Sequence, residues 1–236
     1  MNDLQKKSEL VIQTLVENKD NIERVIPFDF ADNKVTVLNL TENNIELQNL
    51  DLSSTEKMNE YIFGLLEKNG TCLGVGGYQE DRIIYRRSEH FNLGKEETRS
   101  VHLGIDIWVG AGTLVHAPLD AKVHSFQDNN NFGDYGPTII LEHDFHGVIF
   151  YILYGHLSRE SFVGLYEGKE FKKADVVASI GNFPINGDWP PHLHFQLIVD
   201  IGNKKGDFPG VSSPSQKEYY QMLCPNPNLV LQAPQL

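Results

Sequence analysis

Apolar and polar positions change texture along the chain. Residues 3–25 set Leu4, Leu10, Val11, Ile12 and Leu15 at a rough 3.6-residue period among Lys, Glu and Gln, which predicts a helix. Residues 34–40 are β-branched and partly alternating, the pattern of a strand. Ser53 to Gly70 predicts a second helix. Ser53 and Glu56 have capping-box spacing, Met58, Ile62, Leu65 and Leu66 form one apolar stripe, and Gly70 can end it.

From about residue 72 short strand-like runs are separated by Gly, Asn, Asp and Pro. The runs are Ile83–Arg86, Gly104–Val109, Ala121–Gln127, Thr138–His143, Val148–Tyr154 and Leu193–Val199. Asn129-Asn130-Asn131 and Phe145-His146-Gly147 read as turns. Spacing this regular predicts a mainly β fold, an antiparallel sheet or sandwich with an N-terminal α+β appendage. A boundary near residue 70 would separate a helical and strand subdomain, 1–70, from a β domain, 71–236. Its tail from about Asp207 carries Pro209, Pro214, Pro225, Pro227 and Pro234 and should wrap over the surface.

The 236 residues suit one medium domain with an appendage or two small domains. A formal net charge of −12 repels phosphate backbones and argues against nucleic-acid binding. Cys72 and Cys224 stand in no CxxC or CxxH pair, so no thiolate zinc cluster is available; one disulfide is open to them, but two buried free thiols are expected. Met1 to Leu10 lacks the apolar core of a signal peptide, and no run of about 18 apolar residues exists. The expectation is a cytoplasmic chain that does not enter a membrane, or an extracellular or periplasmic one if it is a mature or excised fragment. Oligomeric state is not readable.

Three segments concentrate the candidate chemistry: His102-Leu-Gly-Ile-Asp106, Tyr154-Gly-His156-Leu157 and Pro191-His192-Leu-His194-Phe195. In the last, Leu193, Phe195 and Leu197 alternate with His192, His194 and Gln196, so a strand would turn the apolar set to a core and both imidazoles to one cavity. Two such histidines lie about 6.5–7 Å apart at Cα, within reach of one metal's neighbourhood. His102 and Asp106 share a face of a strand too, but need a bend to meet, which Gly104 permits. Two imidazoles and one carboxylate leave a tetrahedral zinc one position for water, the pattern of a catalytic site. A lone His-x-His is more often structural; the joint occurrence in β-rich sequence points to chemistry. His90, His116, His124, His143 and His146 read as structural or surface residues. A second metal site at His143 and His146 would lack a partner set.

His102-x-x-x-Asp106, Gly-x-x-Val-x-Ala at 112–117, Tyr-Gly-His at 154–156 and His192-x-His194 together resemble the lysostaphin/LytM-type zinc endopeptidases, over roughly residues 80–200. The resemblance implies His102, Asp106 and His194 as Zn2+ ligands. It implies His156 and His192 as unligated catalytic histidines, and a peptide or small amide as substrate, peptidoglycan in the usual members. Three features depart from the pattern. No secretion signal is expected, Asn186–Pro191 replaces a Ser-Thr-Gly-like stretch, and Gln196 stands where a glutamate is common. The segments Gly206–Gly210 and Leu223–Asn228 are similar to a subgroup fused to kinase-like and class-III aminotransferase-like domains. Trp189, before two prolines, is expected on a stiff wall beside the site, stacking on substrate or packing in the core. The function expected is a zinc-dependent hydrolase of an amide or peptide bond. The alternatives are a non-catalytic metal-binding or regulatory module of the same fold, and a pure interaction domain.

Overall fold

The computed structural model describes residues 2–31, 34–91 and 97–236. Helix α1 (Asp3–Glu17) begins where the Asn2 side chain accepts from the Gln5 amide. It ends eight residues before the sequence pattern predicted. The chain beyond it is drawn off by tertiary bonds, Glu23 N donating to Pro118 O and His116 N to Val25 O, which bury Val25 and Ile26 in the core. Strand β1 (Val35–Leu38) and the single turn α2 (Ile45–Gln48) follow. Helix α3 (Thr55–Lys68) is capped by Ser54, not Ser53: Ser54 Oγ accepts from Lys57 N, while Ser53 Oγ bonds to Asp51 in the preceding turn.

The β region comprises β2 (Leu73–Gly76), β3 (Val101–His102), β4 (Ile105–Trp108), β5 (Leu114–His116), β6 (Ala121–Asn129), β7 (Gly136–Phe145), β8 (Val148–Gly155), β9 (Glu170–Phe171), β10 (Val176–Ser179), β11 (His192–Ile198) and β12 (Val211–Ser212). Two short helices, α4 (Lys217–Leu223) and α5 (Asn228–Leu231), close the chain. Among the described residues the main sheet has eight strands in the order β1-β2-β4-β11-β8-β7-β6-β9. Its pairs are antiparallel except β1 with β2, which run parallel. The N-terminal strand is therefore an edge of the same sheet that carries the candidate residues. Two small ladders, β5 with β10 and β3 with β12, flank it.

The sheet separates two packed layers. On one face Leu15, Val75, Ile105, Ile107, Ile152, Leu193, Phe195 and Leu197 form one buried cluster under α1. On the other, Trp108 packs with Met58, Ile62, Tyr85 and Trp189, and Leu103 with Ile198, Phe208 and Cys224. The predicted alternation of β11 is thus realised, but its polar face is covered too; all seven residues are buried. The cover comes from two segments. Ile83–Arg87 is a 3-10 helix, correcting the strand expected at Ile83–Arg86. Its tight turn buries Ile83, Ile84, Tyr85 and Arg87 together, which an alternating strand would not do. The tail supplies the second segment: it crosses over β3 through β12 and buries Phe208 and Val211. Cys224 is buried and Cys72 is exposed, both as free thiols, so the expectation of two buried thiols holds for one.

Candidate metal centre

Register brings the three motifs together on the covered face. In the β11–β4 ladder His194 stands opposite Asp106 and His192 opposite Trp108; in the β11–β8 ladder His194 stands opposite Gly155. The bend expected at Gly104 separates β3 from β4 and lets His102 approach Asp106. Gly104 has a second role, because a Cβ there would sit 2.6 Å from His194 Cε1. Only glycine lets the imidazole lie against the backbone at this point.

The result is three converging donor atoms. His102 Nε2 lies 2.9 Å from His194 Nδ1 and 3.3 Å from Asp106 Oδ1, and His194 Nδ1 lies 3.1 Å from Asp106 Oδ1. All three residues are buried, and among the described residues they form the one such group of His, Asp, Glu or Cys that could hold a metal ion. The other nitrogen of each ring is engaged. His102 Nδ1 donates to Gly77 O at 3.2 Å, and His194 Nε2 donates to Gln196 Oε1 at 2.9 Å. Gln196 is held in that orientation because its Nε2 donates to Pro209 O and to Cys224 Sγ. With their outer nitrogens engaged, His102 Nε2 and His194 Nδ1 both turn toward Asp106 Oδ1, and a cation placed among the three atoms would satisfy all of them.

The electrostatics agree. Burial, with the Arg82 guanidinium nearby, pushes His102 down to about 3, so it is neutral near pH 7. Burial alone would raise the Asp106 carboxyl, yet its neighbours hold it well below the usual carboxylate range. With His102 uncharged, the cation that keeps Asp106 ionised is Arg82, whose Nη1 donates to Asp106 Oδ2.

Two further histidines flank the group. His156 sits at the end of β8 with φ 61°, a left-handed conformation that costs a non-glycine residue about 1 kcal/mol or more. Backbone bonds to Tyr135 O and from Gly181 N pin it there. Its Nδ1 donates to Asn186 O at 2.8 Å, and His192 Nδ1 donates to Pro190 O at 2.7 Å. The rings lie 4.1 Å apart, and His192 stacks on Trp108 at 4.0 Å. His192 Nε2 is 3.9 Å from Asp106 Oδ1. Burial pushes His156 well below the usual histidine range and His192 down to about 4. Both keep Nε2 free as a lone-pair atom.

A cavity of about 360 Å³ opens beside this group, lined among others by Asp106, His156, His194, Tyr85, Tyr135 and Trp189. Trp189 is 3% exposed, with its ring 6.2 Å from both His156 and His192 and the Arg87 guanidinium 4.5 Å over it. It is both a packed residue and part of the cavity wall. His143 is buried against Phe150, with Nδ1 bonded to Asp120 O, and His146 is exposed in a turn; among the described residues neither joins a group that could hold a metal ion. Sequence reasoning missed Arg82, Gly77, Asn186 and the Pro209–Val211 segment. Glycine, asparagine and a lone arginine carry no spacing signal, and their roles run through backbone carbonyls and long-range packing.

The fold thus brings together a buried His–Asp–His group that could hold a metal ion, two further imidazoles and a cavity. Residues 100–206 match the model of peptidase family M23. All the motifs that carried the family resemblance lie in that stretch, and the resemblance holds. No curated protein matches the chain. Among solved structures, the chain is similar to an M23 peptidase from Pseudomonas aeruginosa at 22% identity, covering 56% of this chain and 44% of that one with TM-score 0.38. It is also similar to a zinc-containing peptidase from Vibrio cholerae (23% identity, 42% and 27% covered, TM-score 0.33). For the catalytic domain of lysostaphin from Staphylococcus simulans the values are 23% identity, 52% and 80% covered, and TM-score 0.36. The chain spans less than half the length of the first two.

Proposed function

We propose that this chain is a zinc-dependent hydrolase of peptide or amide bonds, with His102 Nε2, Asp106 Oδ1 and His194 Nδ1 as the metal ligands. The observation that carries the reading is the commitment of the opposite nitrogens to Gly77 O and Gln196 Oε1, which leaves three lone-pair atoms within 3.3 Å of one another. Two imidazoles and a carboxylate suit Zn2+, and three protein ligands are the number of a catalytic site. When bound, the ion supplies Lewis-acid polarisation of the scissile carbonyl and lowers the pKa of water.

The chain's own residues do the rest. His156 Nε2 and His192 Nε2 are the bases: their Nδ1 protons are fixed by Asn186 O and Pro190 O, so the free nitrogen takes the proton from water and returns it to the leaving amine. With rings 4.1 Å apart they do not both carry charge at once. Tyr85, Tyr135 and Trp189 form an aromatic wall of the cavity beside them.

The cavity suits a short, linear substrate. Its volume is near the lower end of ordinary ligand pockets, and the 3-10 turn and the tail wall it on two sides. The test is a side-by-side assay of zinc-loaded protein on glycine- or alanine-containing short peptides and on purified wall sacculi. Cleavage of the peptides with little clearing of sacculi is expected. Rapid clearing of sacculi with peptides untouched contradicts the short-substrate reading, and no turnover of either contradicts the hydrolase itself.

A further inference from the structure

Arg82 is a charged group at the candidate centre that is neither an expected ligand nor an expected base. Its side chain is 0% exposed, which for a permanently charged residue demands full pairing. The structure gives it a partner at each nitrogen. Nε donates to Glu80 Oε2 at 2.8 Å, Nη2 to Gly77 O at 3.1 Å, and Nη1 to Asp106 Oδ2. Glu80 is itself fixed, its other oxygen accepting from Leu40 N at 3.0 Å. Gly76, opposite Asp106 in the β2–β4 ladder, clears the space: a Cβ there would lie 2.6 Å from Arg82 Nη2.

The consequence for the three ligand candidates is specific. Asp106 has two oxygens, and Arg82 occupies Oδ2, so Oδ1 alone faces His102 and His194. The Gly77 carbonyl accepts from both Arg82 Nη2 and His102 Nδ1. One guanidinium thus fixes a carboxylate directly and shares the carbonyl that sets the tautomer of an imidazole. A planar fork can satisfy Glu80, Gly77 and Asp106 together; a lysine ammonium, with its donors on one atom, cannot span them.

We propose that Arg82 is a positioning residue of the metal centre, whose fork restricts Asp106 to one oxygen toward the metal and holds His102 in register with it. This rests on the metal-ligand reading given above. Net charge separates this role from a general electrostatic one: Arg82→Lys keeps the charge and removes the fork.

The experiment loads the full chain and Arg82→Lys with zinc and with cobalt(II). Zinc affinity is read by competition with a chromogenic chelator, and the visible absorption of cobalt reports coordination number and symmetry. Arg82→Lys is expected to bind zinc about 10–100-fold more weakly, the range for partners that orient a ligand, and to shift and weaken the cobalt bands. A role in stability alone would lower the melting temperature and leave both readouts unchanged. Wild-type affinity and spectrum in folded Arg82→Lys overturn the proposal. If that variant fails to fold, Glu80→Gln loosens the guanidinium at Nε and is expected to shift the cobalt bands in the same direction; an unchanged spectrum there overturns it as well. Failure of the wild-type chain to bind either ion overturns the ligand reading and, with it, this role of Arg82.

Discussion

Gln196 Oε1 accepts from His194 Nε2 at 2.9 Å, and that contact decides which nitrogen of the ring faces Asp106. The glutamine fixes the tautomer without adding charge. Gln196→Leu keeps the volume and removes the acceptor. Zinc affinity is expected to fall about 10–100-fold with circular dichroism unchanged. Unaltered affinity in a competition titration would show that the tautomer is set elsewhere.

His156 and His192 are proposed as proton carriers, not ligands. His156→Ala and His192→Ala are each expected to retain zinc and to lose about 10²–10⁴-fold in kcat, the usual contribution of a general acid–base group. Metal analysis beside steady-state kinetics checks this. A variant that loses its zinc moves that histidine into the ligand set.

The buried histidines make the metal-free fold acid-sensitive. His102 is pushed down to about 3 and His143 and His192 down to about 4, against an unfolded value near 6.5. Between those values the unfolded chain binds more protons than the folded one. Stability is therefore full above about pH 6.5 and is lost as pH falls toward 4. His143 lies outside the metal centre, stacked on Phe150 with Nε2 lacking a partner. Thermal melts of metal-free His143→Phe from pH 7 to 4 are expected to show a shallower decline than wild type. An equal or steeper decline would show that His143 does not contribute.

The N-terminal segment is expected to be inseparable from the centre. Val37 pairs with Val75, and Gly76, at the end of the next strand, pairs with Asp106. Leu40 N anchors Glu80, which anchors Arg82. Removing residues 1–70 is expected to expose Leu73 and Val75 at a bare edge and to give an insoluble or unfolded chain. A soluble, more active product after limited proteolysis near residue 70 would contradict this and make the segment a removable inhibitor.

The candidate site was largely legible in the sequence and its surroundings were not. Period-two alternation put His192, His194 and Gln196 on one face and Leu193, Phe195 and Leu197 on the other, and the sheet obeys it. The covering layer followed no local period. Ile83–Arg86 has strand-like composition, but burying Ile83, Ile84, Tyr85 and Arg87 on one side demanded a tight turn, and the residue just before it became the carboxylate's partner. Ser54 captured the helix cap from Ser53 because Asp51 had already engaged its neighbour. The tail's part in the cavity wall depends on Leu103 N donating to Gly210 O, a contact between residues more than a hundred positions apart.

Asp106, with His102 and His194, is proposed to hold a metal ion. The most direct test is the zinc content of wild-type and Asp106→Ala protein, purified without a histidine tag and equilibrated with the same limiting free zinc. About one zinc per wild-type chain is expected, with a nearly empty Asp106→Ala variant. Full zinc occupancy in Asp106→Ala would contradict it.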